Sequence, residues 1–279
     1  MKLRRFLLFV PVALLLTPFF LAPLFVIGAE SFSGKNGFAG EYVKVVTDPG
    51  IRKVLYNTFY VALMVTIFSL LIGYPVAYVL ARLKGKLATV GIFLIFLPFW
   101  ASTVIRSFAW MILLGRNGPI NAILTGVGVI EDPIRFIDNG VGLMIAMTYI
   151  MVPFMVVPIL NGLRAIDVNL PRAAAVMGAN PWRQFLAVTL PLSMPSIAVG
   201  STIVFVTSLG FFVTPSLLGG DRTVVSILIS EQANRLLNWP LASALAIVVL
   251  LLTILVFALL RASQLASRRR GRAQAGILA

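Results

Sequence analysis

The sequence predicts an all-α membrane protein with six transmembrane helices, and three observations carry that prediction. Hydrophobic residues make up 59% of the 279, against about 45–50% in ordinary soluble domains, and the mean hydropathy is +1.00. Six apolar runs recur along the chain, each close to or above the ~20 residues that a helix needs to cross a ~30 Å hydrocarbon core. The charged residues fall almost entirely in the segments between those runs. Cysteine and histidine are both absent, which removes thiol chemistry together with the commonest general base and metal ligand. No Asp/Glu cluster at ligand spacing takes their place.

The first span is expected over 6–29, an uncharged run of 24 residues behind Lys2, Arg4 and Arg5. A cleaved secretory signal opens in the same way, but its apolar core is about 7–15 residues long and a small-x-small site follows it, so the run reads as an uncleaved helix. From Glu30 to Arg52 the chain is polar, with Ser-Gly-Lys-Asn-Gly from Ser33 and Asp-Pro-Gly from Asp48, and an exposed loop is expected. The second span, 54–81, ends at the turn Arg82-Leu83-Lys84-Gly85-Lys86. The third, 88–115, carries a charge inside it, Arg106. An exposed loop at 116–140 holds Asn-Gly-Pro and Asp-Pro turn signals and a short helix from Ile120. The fourth span, 141–163, contains Pro153 and Pro158, which bend a helix and free backbone carbonyls. The fifth is 197–218, a loop runs from Gly219 to Trp239, and the sixth, 241–260, precedes a tail with Arg268, Arg269, Arg270 and Arg272. No repeat of about 20–50 residues and no low-complexity linker interrupts the chain, so 1–279 is expected to form one transmembrane domain.

Between the fourth and fifth spans, 164–195 is a long stretch of mixed polar and apolar residues. Residues 168–177 favour helix, and Gly178 can turn left-handed after the last turn. Asn180 can cap a second helix, with Pro181 at its first position, where a missing N–H costs nothing. Trp182, Phe185, Leu186 and Thr189 then fall at helical spacing, and Pro191 and Pro195 are expected to close the helix. The product is a helix–turn–helix elbow whose second helix lies under a bilayer and whose turn points into water.

Charge sets the orientation. With both termini cytoplasmic, the inner segments hold fourteen basic residues: Lys2, Arg4, Arg5, Arg82, Lys84, Lys86, Arg164, Arg172, Arg183, Arg261 and the four tail arginines. The outer loops hold eight, Lys35, Lys44, Arg52, Lys53, Arg116, Arg135, Arg222 and Arg235, together with every acid except Asp167. Lys and Arg in short flanks accumulate on the cytoplasmic side, which selects this orientation and puts the elbow inside. The net charge of +14 does not point to nucleic acid, because the inner charges are spread over membrane-flanking segments with no aromatic-interleaved basic face.

Any transport would need a driving force from elsewhere. Gly34-Lys35 and Gly85-Lys86 lack the upstream glycine and following Ser/Thr of a phosphate-binding loop, so the chain is not expected to hydrolyse ATP. Its spans contain no Asp, Glu or His of the kind that proton-driven carriers use. Sodium coupling through backbone carbonyls leaves a secondary carrier or channel as the alternative reading, although such carriers are generally larger and built from inverted repeats. No nucleophile–base pair suggests an enzyme.

The elbow resembles a known loop. Ala173, Ala174, Gly178, Val188, Leu190 and Pro191 are spaced as in the EAA loop of ABC-importer permeases, Glu-Ala-Ala, three residues, Gly, nine residues, Ile-x-Leu-Pro; Arg172 stands in the Glu position and Val188 in the Ile position. The resemblance implies a coupling helix that docks into a groove on a cytoplasmic ATPase through Arg172, Ala173, Ala174, Gly178, Ala179, Asn180, Leu190 and Pro191, with the charge at one contact reversed. Around Pro98 to Gly115 (PFWASTVIRSFAWMILLG), Val152 to Pro158 (VPFMVVP), Phe211 to Gly220 (FFVTPSLLGG) and Asn238-Trp239-Pro240-Leu241, the chain is similar to the spermidine/putrescine class of importer permeases. That class also includes importers for opines and other small organic solutes. It implies a type I importer permease fold in a bacterial inner membrane. It also implies a second permease, identical or homologous, an ATPase dimer that binds the ATP, and a periplasmic binding protein that delivers the solute. No cofactor of the chain's own is implied.

Arg106 sits nine residues before the outer end of its span, roughly 13 Å along a helix. It faces the solute path or a permease–permease interface, because a charge facing lipid at depth is expensive, or its stem carries the guanidinium out to the headgroups. Trp110, Phe211 and Phe212 are further path candidates, with packing or an interfacial belt as the other reading, as for Trp100. Gly73, Pro75, Gly210 and Pro215 suit helix packing and bending. The implied polyamine finds no carboxylate in the spans, whereas Arg106 suits a zwitterionic or anionic solute such as an opine.

Overall fold

The computed structural model describes residues 2–34, 39–137, 140–220 and 222–277, with side chains described within 16–258 of those ranges. Among them the chain is helices and turns with no strand. Lys35 to Gly37 of the expected loop signal, and the acids Asp138 and Asp221, lie outside the described residues. So do the side chains of Lys2, Arg4, Arg5, Arg261 and the tail arginines.

The helices are α1 (Lys2–Glu30), α2 (Gly40–Thr47), α3 (Pro49–Arg82), α4 (Gly85–Phe96), α5 (Thr103–Leu114), α6 (Pro119–Gly126) and α7 (Val141–Arg164). After these come α8 (Asn169–Val176), α9 (Pro181–Gln184), α10 (Leu190–Leu209), α11 (Val213–Leu218), α12 (Val225–Ser230) and α13 (Trp239–Ile277). Among the described residues four helical stretches are long and apolar enough to cross a membrane: Pro49–Arg82, Val141–Arg164, Pro181–Leu209 and Trp239–Ala258. Gly85–Trp100 and Thr103–Gly126 qualify only as a pair, bent by 94°, and the described side chains of α1 supply a shorter apolar stretch, Leu16–Glu30.

The chain falls into two units, 1–54 with 227–256, and 55–226 with 257–279. In the first, Ser31 is buried; its hydroxyl donates to the Gly28 carbonyl at 2.6 Å and lies 2.7 Å from the Tyr42 hydroxyl. Asp48 starts α3, its Oδ1 accepting from the N–H groups of Gly50 and Ile51 at 2.7 and 3.1 Å.

In the second unit α7 is the central helix. Leu143, Ala146, Met147, Ile150, Met151, Met155, Val156 and Ile159 are all buried, a set spread around the helix that suits an element packed on several sides. The helix runs through Pro153 and Pro158 without interruption. Against it lies α10, and the two backbones approach closely: a Cβ on Gly162 would run into the Ser196 hydroxyl, and one on Gly200 would sit 3.0 Å from the Met155 Sδ. Small residues at such crossings let helices gain dispersion contacts that lipid cannot replace. Gly73 of α3 packs on Met155 in the same way.

Several sequence expectations are corrected. The third span, 88–115, is not one helix: α4 ends in a tight turn, Leu97–Trp100, and Ser102 caps α5 by accepting from the Val104 N–H at 3.3 Å. Pro98 brings no N–H to the turn, and extended backbone at Ala101 and Ser102 completes the bend. The fifth span, 197–218, is broken at Gly210 between α10 and α11. Pro191 and Pro195 do not close the elbow's second helix, which continues as one 29-residue stretch, Pro181–Leu209. The expected loops 30–52 and 219–239 contain α2 and α12, and Glu41 on α2 is buried at 6% exposure rather than set in an open loop. The short helix from Ile120 is present as α6.

Candidate coupling elbow and solute path

The elbow follows from local residue chemistry. Asp167 Oδ1 accepts from the Asn169 N–H at 2.9 Å at the start of α8. Gly178 has φ +86°, the left-handed conformation that a Cβ disfavours. That turn lets the Gly178 and Ala179 N–H groups reach the carbonyls of Ala175 and Ala174 at 2.9 and 3.0 Å, satisfying the end of α8. Asn180 Oδ1 then accepts from the Arg183 N–H at 2.8 Å, with Pro181 next in line, so α9 starts as expected. The Gln184 side chain closes the turn by donating to the Ala179 carbonyl at 2.8 Å.

A wider turn of π type, Phe185–Thr189, joins α9 to α10, with the Leu190 N–H reaching the Phe185 carbonyl five residues back. Pro191 follows and can neither donate to the carbonyl four residues before it nor avoid crowding it. The widened turn accommodates that proline without ending the helix.

Aromatic rings hold the elbow against α3. Phe185 meets Tyr74 and Tyr78 edge-on, with centroids 5.8 and 5.5 Å apart, and stacks on Trp182 at 5.8 Å. The Tyr74 hydroxyl lies 3.1 Å from the Ser193 Oγ. Arg82 lies over the Tyr78 ring, 4.0 Å from its centroid, and donates to the Tyr78 hydroxyl. The sequence reading missed this clamp; Tyr74 and Tyr78, four residues apart near the Arg82 end of α3, were its available signal.

Of the proposed coupling residues, Arg172, Ala173 and Ala174 lie on α8, Gly178, Ala179 and Asn180 form the turn, and Leu190 and Pro191 open α10. Ala174 is buried, while Arg172 and Ala173 are exposed. Next to them Val176 and Met177 project at 89% and 81% exposure, a prominent apolar tip at the end of α8. A cavity of about 300 Å³ beneath the elbow is lined by Tyr78, Arg82, Asp167, Arg172, Gln184 and Thr189, among others.

The path candidates do not form one cluster. Trp110 meets Tyr149 of α7 edge-on at 5.4 Å and lines an apolar cavity of about 660 Å³ with Phe68, Ile72, Thr148 and Pro153. Phe211 packs against the core beyond the Gly210 break, its carbonyl accepting from the Ser226 hydroxyl at 2.8 Å, and Phe212 is exposed. Arg106 turns back along α5: its Nη2 donates to Thr103 Oγ1 at 3.0 Å, and its guanidinium lies 5.5 Å from the ring centre of Phe99. The neighbouring Ser107 is fully buried and lies 2.8 Å from the Thr214 hydroxyl, tying α5 to α11.

Comparison with known proteins agrees with this architecture. Residues 2–269 match the family described as binding-protein-dependent transport system inner membrane component. The spermidine/putrescine transport system permease protein PotB of Haemophilus influenzae is 32% identical over 261 residues, 90% of this chain and 91% of that protein. The protein of the same name from Escherichia coli is 32% identical over 263 residues, 90% of this chain and 94% of that one. A chain of the crystal structure of a bacterial alginate ABC transporter, solved with an alginate pentasaccharide-bound periplasmic protein, superposes with TM-score 0.79 at 19% identity, covering 93% of each chain. That likeness shows the fold, the expected type I importer permease fold. Such a system works with a solute-binding protein and a separate ATPase, and its membrane component is a multi-pass transport subunit, not an enzyme. The chain belongs to the binding-protein-dependent transport system inner membrane component family.

Proposed function

We propose that this chain is a permease subunit of an ATP-driven importer for polyamines of the spermidine/putrescine type. The observation that carries the reading is the 32% identity to spermidine/putrescine permeases over 90% of the chain. The periplasmic binding protein delivers the solute, a second permease, identical or homologous, completes the path, and a cytoplasmic ATPase dimer binds the ATP. The chain carries no cofactor of its own. It crosses the bacterial inner membrane six times with both termini and the elbow inside, the orientation that the distribution of Lys and Arg favours.

The elbow is the coupling element in this reading. The projecting Val176 and Met177 seat in an apolar groove of the ATPase, Arg172 meets that surface beside them, and the clamp of Phe185 on Tyr74 and Tyr78 passes its movement to α3. In this reading Trp110, Phe211, Phe212 and Arg106 face the solute path, beside the broken spans at 97–102 and 210–212. Aromatic faces and backbone carbonyls hold an ammonium weakly, at about 0.5–2 kcal/mol per cation–π contact, which suits passage rather than storage.

Uptake of labelled spermidine by cells expressing the complete transporter tests the reading. Unlabelled putrescine and spermidine are expected to compete and an opine is not. Competition by carboxylated solutes alone would replace the polyamine reading with an amino-acid-like cargo.

A further inference from the structure

Two arginines outside the elbow and the path share one cavity. Arg116 follows the end of α5 and Arg135 precedes α7, and both line a space of about 270 Å³ whose other walls are Leu114, Phe136 and Ile137. They are far apart in sequence, and a buried asparagine brings them together. Asn121 of α6 is 2% exposed. Its Nδ2 donates to the carbonyls of Gly115 and Ile134 at 3.1 and 2.9 Å, and its Oδ1 accepts from the Ile134 N–H at 3.0 Å. Gly115 and Ile134 come immediately before the two arginines, so three bonds from one side chain set the backbone spacing of Arg116 and Arg135. The Gly142 N–H donates to the Phe136 carbonyl at 2.8 Å, which ties the same frame to the first turn of α7.

Both arginines are exposed. Among the described residues neither is paired: the ion pair there is Arg235 with Glu231, and Glu131 and Asp132 of the same loop bond to neither arginine. Two like charges fixed at one cavity repel, and a carboxylate set between them turns that repulsion into two charge-assisted contacts. Topology does not account for the pair, because basic residues flanking a span accumulate on the inner side and this loop is expected outside. The cavity also lies at the opposite end of α7 from the elbow, with 24 helical residues between them, about 36 Å. A polyamine is repelled by such a pair, which excludes the cargo itself. A lipid headgroup can follow a mobile arginine and gains little from a fixed spacing, whereas a rigid protein surface gains affinity from it. In a binding-protein-dependent system, the protein that meets the end away from the ATPase is the solute-binding protein.

We infer that Arg116 and Arg135 dock an acidic patch of the solute-binding protein, one of whose carboxylates seats between the two guanidinium groups. The inference rests on the importer reading above and adds the chemistry of one docking contact to it. Exposed charges of this kind steer and orient an encounter more than they hold it, which suits a partner that leaves after delivering its solute.

The test uses the complete complex in nanodiscs and the binding protein of the same system loaded with spermidine. Arg116→Glu combined with Arg135→Glu is expected to raise, by about tenfold or more, the binding-protein concentration that half-saturates stimulation of ATP hydrolysis, while the rate at saturation is kept. Surface Asp and Glu residues of the binding protein are then changed singly to Arg. At least one of these reciprocal changes is expected to lower that concentration again for the double variant, which a misfolded complex would not show. An unchanged half-saturating concentration, or recovery with none of the reciprocal changes, overturns the inference. So does a defect present in phosphatidylglycerol nanodiscs and absent in phosphatidylcholine, which would assign the arginines to a lipid headgroup. The importer reading fails separately, by absence of any stimulation of the wild-type complex by the loaded binding protein.

Discussion

Gly178 concentrates the residue-scale argument. Its φ of +86° is left-handed, yet a Cβ built there would meet nothing within 4 Å, so the cost of substitution lies in the backbone alone. That cost is about 1–2 kcal/mol for an ordinary residue and more for a β-branched one. Gly178→Val is therefore expected to insert into the membrane normally while losing transport-stimulated ATPase activity in the assembled complex. Gly178→Asn, which tolerates the same conformation, is expected to keep most of it. Full stimulated activity in Gly178→Val would remove the elbow from coupling. Two positions on, Asn180→Ala removes an observed cap, worth about 1 kcal/mol, and should give a smaller defect of the same kind. Both roles were legible in sequence, because capping and a left-handed turn depend on a residue and its immediate neighbours.

At the scale of elements, the elbow is joined to the spans by Phe185. Truncation to Ala loses three ring contacts and, for a half-buried ring, about 1–3 kcal/mol. Phe185→Ala is expected to lower the Tm of the purified complex by a few degrees and to separate ATP hydrolysis from uptake. Unchanged uptake per ATP hydrolysed would show that the clamp carries no movement. A different contact governs α7 and α10. The Cβ of Gly162→Ala would overlap Ser196, including its Cβ at 2.5 Å, so the helices must separate, and a lower Tm is expected; Gly162→Ala together with Ser196→Gly should recover much of it. Sequence reading placed Pro191 and Pro195 as closing residues because proline usually ends a helix. The widened turn at Phe185–Thr189 let the chain absorb Pro191, and nothing in the local sequence announces whether a proline will break a helix or be carried by one.

For the whole molecule, orientation is the most direct expectation. The cysteine-free chain allows single cysteines at Ser33, Asn180 and Gln274, and an impermeant thiol reagent added to intact cells is expected to label only the first. Labelling at Asn180 would invert the topology and detach the elbow from any cytoplasmic ATPase. The membrane class, the left-handed turn at Gly178 and the cap at Asn180 were legible in sequence alone, since hydropathy, capping and glycine conformation act within a few residues. The bend that splits the third span, the break at Gly210, the burial of Glu41 and the surroundings of Arg106 were decided only by tertiary structure. Each depends on what packs nearby: Phe99 reaches Phe154 across 55 positions of sequence, and Tyr74 reaches Phe185 across 111. A residue's own identity does not specify such neighbours, so the sequence could mark Arg106 as costly, while the fold showed which of its donors are bonded.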